Sequence, residues 1–212
     1  MLLTNHRVLQ IKMANNLVNL EFETGEVIAG DKLIVAAGAW ARDILENLGL
    51  PLPLRVTREW VAYFPPTNAL SHLVGEMPCV IDSCDDQVTF YCLPQVEVPG
   101  VKVGWHQSGE EVHPDEPASQ NMRVVNKIKE WVAQTLPHVS VEPGEVLSCL
   151  YTSTPDNDFI LDRHPDYANI IIGAGFSGHG FKFGPLIGHI LADLAQEKAP
   201  VVTLDKFTDN RF

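Results

Sequence analysis

The segment "IIIGAGFSGHGFKFG", residues 170–184, decides how the rest of the chain is interpreted. An apolar, β-branched run enters a glycine-rich turn, and "GPLIGHILADLAQ" at 184–196 continues with apolar residues at helical spacing. Residues 173–178 match G-x-G-x-x-G, the pattern of dinucleotide-binding loops. The pattern predicts a buried strand, a tight turn and a helix.

Three interpretations of this turn stay open. A pyrophosphate loop needs a further strand with an acidic residue about 20 positions on, and the candidate, Asp193, falls inside the predicted terminal helix. The glycines could instead serve only close packing of helix on sheet. In the third interpretation, backbone N–H groups and the helix end bind partial negative charge, such as the electron-rich edge of a ring. Lys182, near the helix start, is either a surface lysine or has a local role.

The bulk composition limits the partners. The chain has 212 residues and a net charge of −12, which argues against nucleic acid, because neutralising phosphates requires Lys and Arg. It also argues against an anionic membrane, and no apolar run approaches the ~18 residues of a membrane span. Without a recognisable signal peptide, we expect a cytoplasmic protein. No His/Cys cluster has metal-ligand spacing, so we expect no metal.

The order of predicted elements indicates two domains. Residues 1–50 predict a β meander, a buried strand, a turn at Gly38 and a short helix over 40–48. Residues 145–212 predict strands and the terminal helix. Together these parts form a partial nucleotide-binding sheet, and residues 51–144 form an inserted substrate domain. The predicted fold class is therefore α+β or α/β, with flanking helices.

The inserted domain is predicted to be mostly antiparallel. Its candidate strands include 54–64 and 100–108, interrupted by prolines. Apolar residues at helical spacing in "PASQNMRVVNKIKEWVAQTLP" predict an amphipathic helix over 118–135.

Three blocks carry a family resemblance. The stretch "GEVLSCLYTSTPDNDFILDRHPDYANIIIGAGFSGHGFKFGPLIGHILADLA", residues 144–195, resembles the C-terminal segment of monomeric sarcosine oxidase and its N-methyltryptophan and pipecolate oxidase relatives. These are FAD-dependent amine oxidases of the D-amino-acid-oxidase superfamily. "LIVAAGAWARDIL" at 33–45 and "GVKVGWHQSGEEVHPD" at 100–115 resemble two further family blocks. The resemblance runs, with gaps, from about residue 4 to 208, and implies that residues 1–50 and 145–212 form a partial FAD-binding domain.

The resemblance implies roles for two residues of one strand. Cys149 matches the cysteine that attaches the flavin covalently through its 8α-methyl carbon, which requires an environment that lowers the thiol pKa. Tyr151, two residues on, shares a strand face with Cys149 and matches a tyrosine that lines the substrate cavity. Without the resemblance, a buried structural cysteine is the alternative.

Four further positions gain roles in the same way. Lys102 matches the lysine over the flavin that assists reduction of O₂, because a fixed cation stabilises the developing anion. His106 and Tyr91 match an active-site histidine and tyrosine, although lone examples are usually structural. Lys102 and His106 share one face by strand alternation. Lys182 matches the lysine that binds the substrate carboxylate.

The glycine-rich turn 173–180 matches the turn that faces the pyrimidine edge of the flavin, and 33–45 matches the strand leading out of the FAD domain. The cofactor-binding residues implied alongside Cys149 are Gly175, Phe176, Gly178, His179, Gly180, Lys182, Ala37, Gly38 and Trp40.

The implied function is FAD-dependent oxidation of a secondary amine or N-methyl amino acid such as sarcosine, with O₂ as acceptor, giving an imine and H₂O₂. The family's N-terminal ADP-binding βαβ unit is not matched here. We therefore also expect a missing N-terminal half or a homo-oligomer as partner. The alternative is a non-catalytic truncated remnant that folds and self-associates without flavin. A nucleotide-binding module that uses 173–178 is a third possibility.

Overall fold

The protein is described here by a computed structural model that covers residues 1–68, 71–85 and 88–212. The chain divides into two compact units: unit 1 is Met1–Arg55 with Thr152–Phe212, and unit 2 is Val56–Tyr151. Several sheets and few helices confirm the predicted mixed α/β class. Among the described residues, no helix is long and apolar enough to cross a membrane.

The strands, in chain order, are β1 (Val8–Ala14), β2 (Leu17–Phe22), β3 (Val27–Gly30), β4 (Leu33–Val35), β5 (Arg55–Phe64), β6 (Val80–Asp85), β7 (Val88–Leu93), β8 (Val101–Trp105), β9 (Glu110–Glu111), β10 (Glu145–Ser153), β11 (Ile160–Arg163) and β12 (Ile170–Ala174). The helices are α1 (Ala41–Asn47), α2 (Met122–Thr135) and α3 (Gly184–Ala195).

Unit 1 contains two three-stranded sheets, with strand orders β1-β2-β3 and β11-β12-β4. The hairpin between β1 and β2 turns at Asn15 and Asn16, whose φ angles are 53° and 62°. Two consecutive positive φ angles match the right-handed twist of the strands, and asparagine tolerates them well. In the second sheet, β12 pairs parallel with β4 and antiparallel with β11.

The centre of unit 1 is β12, whose residues are all buried. Ile170 and Ile172 pack in one cluster with Leu45 of α1, whereas Ile171 packs in another with Leu191 of α3. A strand covered on both faces reads as a continuous apolar run rather than as an alternating one. This is why "IIIGAG" could be recognised as buried from the sequence alone.

Unit 2 is built on a sheet of order β10-β5-β8-β7-β6, with β9 added beside β5. One face of this sheet packs against α2: Trp60 and Phe64 of β5 and Val103 of β8 form a core with Ile128 and Val132 of the helix. Side chains alternate along a strand, so the residues between these positions lie on the opposite face. That face carries the candidate site.

Three predicted boundaries differ from the structure. The helix expected over 118–135 begins at Met122, because Asn121 caps it by accepting hydrogen bonds from the N–H groups of Arg123 and Val124. The strand expected over 100–108 ends at Trp105. The helix expected over 40–48 is α1, which follows a 3₁₀ turn over Gly38–Trp40.

Candidate active site

The face of the unit 2 sheet opposite α2 collects five of the residues singled out from the sequence. Cross-strand pairs fix its geometry: Tyr91 of β7 and Val61 of β5 both lie opposite Gly104 of β8, and Tyr63 lies opposite Lys102. Directly opposed residues share a face. The predicted residues that meet there are Tyr91, Lys102, His106, Cys149 and Tyr151.

Tyr91 lies directly over Gly104. A Cβ atom added at Gly104 would stand 2.5 Å from both Cζ and Oη of Tyr91, closer than Cβ atoms approach other atoms. Glycine at this position therefore makes room for the phenol above the middle of the sheet. Sequence reasoning missed Gly104, because the overlap depends on the pairing of β7 with β8.

Tyr91 and Tyr151 form a hydrogen-bonded pair of neutral phenols. Burial, the largest effect, raises the pKa of Tyr91 to about 12. Burial, the largest effect, also raises the pKa of Tyr151 far above its usual range, and repulsion from the anionic forms of Tyr91 and Cys149 raises it further. Their mutual hydrogen bond lowers the Tyr91 pKa and raises the Tyr151 pKa, as expected if Tyr151 donates to the Tyr91 oxygen.

His106 stands beside this pair, just beyond the end of β8. Its ring centroid lies 5.6 Å from that of Tyr151, and its backbone N–H donates to the Thr89 carbonyl at 2.8 Å. The backbone bond extends the β7–β8 ladder by one residue. His106 thus keeps the strand alternation that the sequence predicted and shares the face of Lys102.

Lys102 supplies the cation of this face. Its side chain is half-buried, and within the part of the chain that the structure describes its ammonium makes no hydrogen bond or ion pair. A half-buried ammonium that is not bonded within the protein is available to an anionic ligand or to developing negative charge.

The Cys149 thiol is exposed and lies on the same face of β10 as Tyr151. Desolvation by neighbouring atoms raises the pKa of this thiol, and the Glu59 carboxylate raises it further, whereas Lys102 lowers it. The sequence argument required a lowered thiol pKa. The net direction in the structure is upward, so Cys149 is less ionised than an ordinary cysteine at neutral pH.

In unit 1, the glycine-rich turn leaves β12 through two tight bends. Gly175 has a φ of 65°, and a Cβ there would stand 2.5 Å from Cγ2 of Thr154, so both backbone and space require glycine. Ser177, 1% exposed, also has a positive φ, 50°. Its hydroxyl donates to the Gly175 carbonyl and accepts from the Thr154 N–H, and its own N–H donates to the Thr152 carbonyl.

Aromatic contacts fix the remaining turn residues. The rings of Phe176 and His179 lie 5.3 and 4.9 Å from the Phe159 ring, and the His179 N–H donates to the Phe176 carbonyl. A Cβ at Gly180 would stand 2.5 Å from Cβ of Phe176. Gly178 is exposed with a φ of 77°. The turn is therefore preformed by its own packing.

Lys182 is exposed and lies in a 3₁₀ turn over Phe181–Phe183, immediately before α3. Its Nζ donates to the His179 carbonyl at 3.0 Å and lies 5.0 Å from the centre of the Phe183 ring. These two contacts hold the ammonium against the turn. The neighbouring Phe181 side chain is fully exposed.

The third predicted segment follows β4. The Trp40 N–H donates to the Ala37 carbonyl at 3.0 Å across Gly38, whose φ is 54°. The Trp40 side chain is 44% exposed. The structure therefore places the predicted site residues in two groups: Tyr91, Lys102, His106, Cys149 and Tyr151 in unit 2, and the turn residues, Lys182 and the 37–40 segment in unit 1.

The residues of unit 2 fit a flavin ring by their chemistry. The Lys102 ammonium suits an aromatic system that gains negative charge on reduction. The exposed Cys149 thiol is open to a ring carbon, although its raised pKa disfavours the thiolate that would attack it. Glu59, a buried acid on the same face of β5, was missed from the sequence. The signal was present: in "TREWVAYF" a glutamate falls between apolar positions of a strand.

Comparison with known proteins shows the family of the chain. The family model DAO, described as FAD dependent oxidoreductase, matches residues 2–194. The chain belongs to this family of FAD-dependent oxidoreductases, and sarcosine oxidases and N-methyl-L-tryptophan oxidases are among its homologues.

Among its relatives, the peroxisomal sarcosine oxidase of Homo sapiens is 39% identical over 85% of this chain and 47% of its own length. The monomeric sarcosine oxidase of Bacillus sp. (strain NS-129) is 32% identical over 99% of this chain and 54% of its own. The N-methyl-L-tryptophan oxidase of Escherichia coli O139:H28 is also 32% identical, over 99% of this chain and 55% of its own length. The chain thus spans about half the length of the relatives it matches.

Solved structures share the fold. The open form of NikD, an unusual amino acid oxidase of nikkomycin biosynthesis, superposes with a TM-score of 0.79 at 24% identity over 95% of this chain and 53% of its own. Glycine oxidase from Geobacillus kaustophilus gives a TM-score of 0.76 at 20% identity, over 97% of this chain and 52% of its own length.

Proposed function

We propose that this chain is the substrate-binding and flavin-ring-binding portion of an FAD-dependent oxidase of secondary amines or N-methyl amino acids. In the overall reaction, the amine loses two electrons and two protons to give an imine, and O₂ is reduced to H₂O₂. The proposal is supported most by one observation: Cys149, Tyr151, Tyr91, Lys102 and His106 lie together on one face of one sheet.

FAD, when bound, supplies the electron acceptor for the amine. Within the chain, Cys149 is the proposed point of covalent attachment, and Lys102 stabilises negative charge that develops as O₂ is reduced. Tyr91 and Tyr151, both neutral, line the substrate side. His106 packs against Tyr151 and holds that ring in place.

Lys182 is the proposed anchor for the substrate carboxylate. Its exposed ammonium is held by one backbone carbonyl, which leaves further N–H donors for an anion. The 173–180 turn, with Ala37, Gly38 and Trp40, is proposed to contact the cofactor. We propose a cytoplasmic location, with a second copy or a further polypeptide as partner, and these points remain predictions.

The test is expression of the 212-residue chain with excess FAD, followed by acid precipitation. Yellow colour that stays with the precipitated protein is expected, and Cys149→Ser should abolish it. Cys79→Ser is the matched control, because Cys79 is also an exposed cysteine of unit 2. H₂O₂ release with sarcosine and with N-methyl-L-tryptophan then tests the substrate class.

A colourless protein that does not take up FAD would contradict flavin binding by this chain and favour the non-catalytic alternative, which a sedimentation measurement of self-association would then examine. Colour that Cys149→Ser retains after precipitation would reject Cys149 as the attachment point.

A further inference from the structure

Glu59 is a buried carboxylate on the site face of unit 2. Its residue is 3% exposed, although it is an acid in a strand. The Thr57 hydroxyl donates to one carboxylate oxygen at 2.6 Å, and the Gly109 N–H donates to the other at 2.9 Å. Both oxygens therefore accept a hydrogen bond.

In the part of the chain that the structure describes, this carboxylate has no cationic partner. Within the described residues, no lysine, arginine or histidine nitrogen lies within 4.0 Å of it. A buried acid without an ion pair is costly to keep, and such groups concentrate at functional sites. Thr57 and Gly109 compensate part of that cost through charge-assisted hydrogen bonds.

The Gly109 bond ties Glu59 to the loop after His106. Residues 107–109 connect β8 to β9, and β9 pairs with β5 at Thr57 and Arg58. Gln107 has a φ of 55°, an uncommon conformation for a residue other than glycine. A Cβ at Gly109 would overlap the Arg58 carbonyl and stand 2.7 Å from the Glu59 carboxylate. The loop therefore lies close against β5 at Arg58 and Glu59.

Glu59 also acts on the site through its charge. It raises the pKa of Cys149, of Tyr91 and of Tyr151, so it disfavours the anionic form of each. Lys102 has the opposite effect on Cys149. The thiol therefore lies between one charge that suppresses its ionisation and one that promotes it.

We propose that Glu59 is a positioning residue of the candidate site: its carboxylate fixes the loop that follows His106 and supplies a negative charge to the sheet face that carries the thiol and the two phenols. The inference rests on the proposed function in one respect: it takes the unit 2 sheet face opposite α2 as the functional site. Glu59 itself, at 3% exposure, does not reach a ligand and acts through its neighbours.

The titratable groups that face this region come from every strand that carries the site. Among the described residues they are Arg55 and Tyr63 on β5, Tyr91 on β7, Lys102 on β8, His106 after β8, Glu111 on β9, and Glu145, Cys149 and Tyr151 on β10. Any pH profile measured here must therefore be compared between variants that differ at Glu59 alone.

The experiment separates the effect of the Glu59 charge from the effect of its side-chain length. It uses the full 212-residue chain without added flavin. Glu59→Gln removes the charge but keeps an oxygen for the Gly109 N–H. Glu59→Asp keeps the charge but is one methylene shorter. Glu97→Gln is the control, an exposed acid in a loop of unit 2. Iodoacetamide alkylation of Cys149 against pH, followed by peptide mass spectrometry, and hydrogen exchange of the Gly109 amide are measured in each.

In Glu59→Gln, the rate of Cys149 alkylation at pH 7 should rise about threefold or more, because removing one nearby negative charge has an effect of that size through protein. The plot of alkylation rate against pH should shift to lower pH. Glu59→Asp should leave that profile near wild type, while Gly109 exchange becomes about fivefold faster or more. Glu97→Gln should change neither quantity.

An unchanged Cys149 profile in Glu59→Gln, or unchanged Gly109 exchange in Glu59→Asp, would overturn the proposal. Should Glu59→Gln fail to fold, Glu59→Asp alone decides: faster Gly109 exchange with a wild-type thiol profile supports the proposal, and any other combination rejects it. Because no flavin is used, failure of the proposed oxidase function would leave these outcomes unaffected.

Discussion

Replacing Gly104 by alanine tests the close approach on which the phenol pair depends. The new Cβ would stand 2.5 Å from Cζ and Oη of Tyr91, so the ring must move away from the sheet. Overpacking of this kind costs about 1–3 kcal/mol. Alanine without the overlap would be stabilising by about 0.5–1 kcal/mol, because glycine loses more conformational entropy in a strand. The sign of the change in the free energy of unfolding therefore shows whether the alanine side chain overlaps the Tyr91 ring.

The measurement is urea unfolding of four proteins: wild type, Gly104→Ala, Tyr91→Ala and the double variant. Gly104→Ala should destabilise the native protein but be neutral or stabilising when Tyr91 is already alanine. Spectrophotometric titration at 295 nm provides a second signal, because the displaced phenol should lose the pKa of about 12 that burial gives Tyr91. Equal destabilisation in both backgrounds would refute the reasoning.

Three further predictions concern stability. The Arg211 guanidinium holds the pKa of Asp156 well below its usual range, so this pair stabilises the fold above the unfolded-state pKa and the contribution is lost as pH falls through the folded pKa. Arg211→Ala should therefore lower the free energy of unfolding in urea less at pH 2 than at pH 7, and the remaining cost at pH 2 includes the bonds that Arg211 donates to the Thr208 and Asp158 carbonyls. Ser177→Ala should cost about 1–3 kcal/mol in the same assay, because the buried Thr154 N–H loses its acceptor. Asn121→Ala removes the α2 cap and should cost about 0.5–2 kcal/mol, measured by thermal melting followed by circular dichroism.

The features that the sequence could predict are those set by local spacing. The apolar run at 170–172 predicted the buried strand β12, and alternation along one strand placed Lys102 and His106 on one face. Apolar spacing predicted α2, with only its start wrong by a few residues. Each of these inferences uses neighbours within one element, whose geometry is fixed by the backbone.

The features that the sequence could not predict depend on which strands pair. Gly104 matters because β7 brings Tyr91 opposite to it, and Glu59 matters because β9 returns alongside β5 and delivers the Gly109 N–H. Strand register across such separations is not determined by local residue spacing. The direction of the Cys149 pKa shift could not be predicted for the same reason, since the charges of Glu59 and Lys102 that act on the thiol belong to other strands.

The charges of the site face indicate what kind of ligand it suits. Tyr91 and Tyr151 remain neutral at physiological pH and the Glu59 carboxylate is buried, so Lys102 is the cation that the described part of this face offers to a ligand without a competing bond inside the protein. A permanently cationic ligand placed against Lys102 would be repelled. An aromatic group that is neutral on binding and gains negative charge during reaction would be increasingly stabilised there. This match between one unneutralised cation and developing negative charge supports the proposal that a flavin, rather than a cationic amine, lies over Lys102.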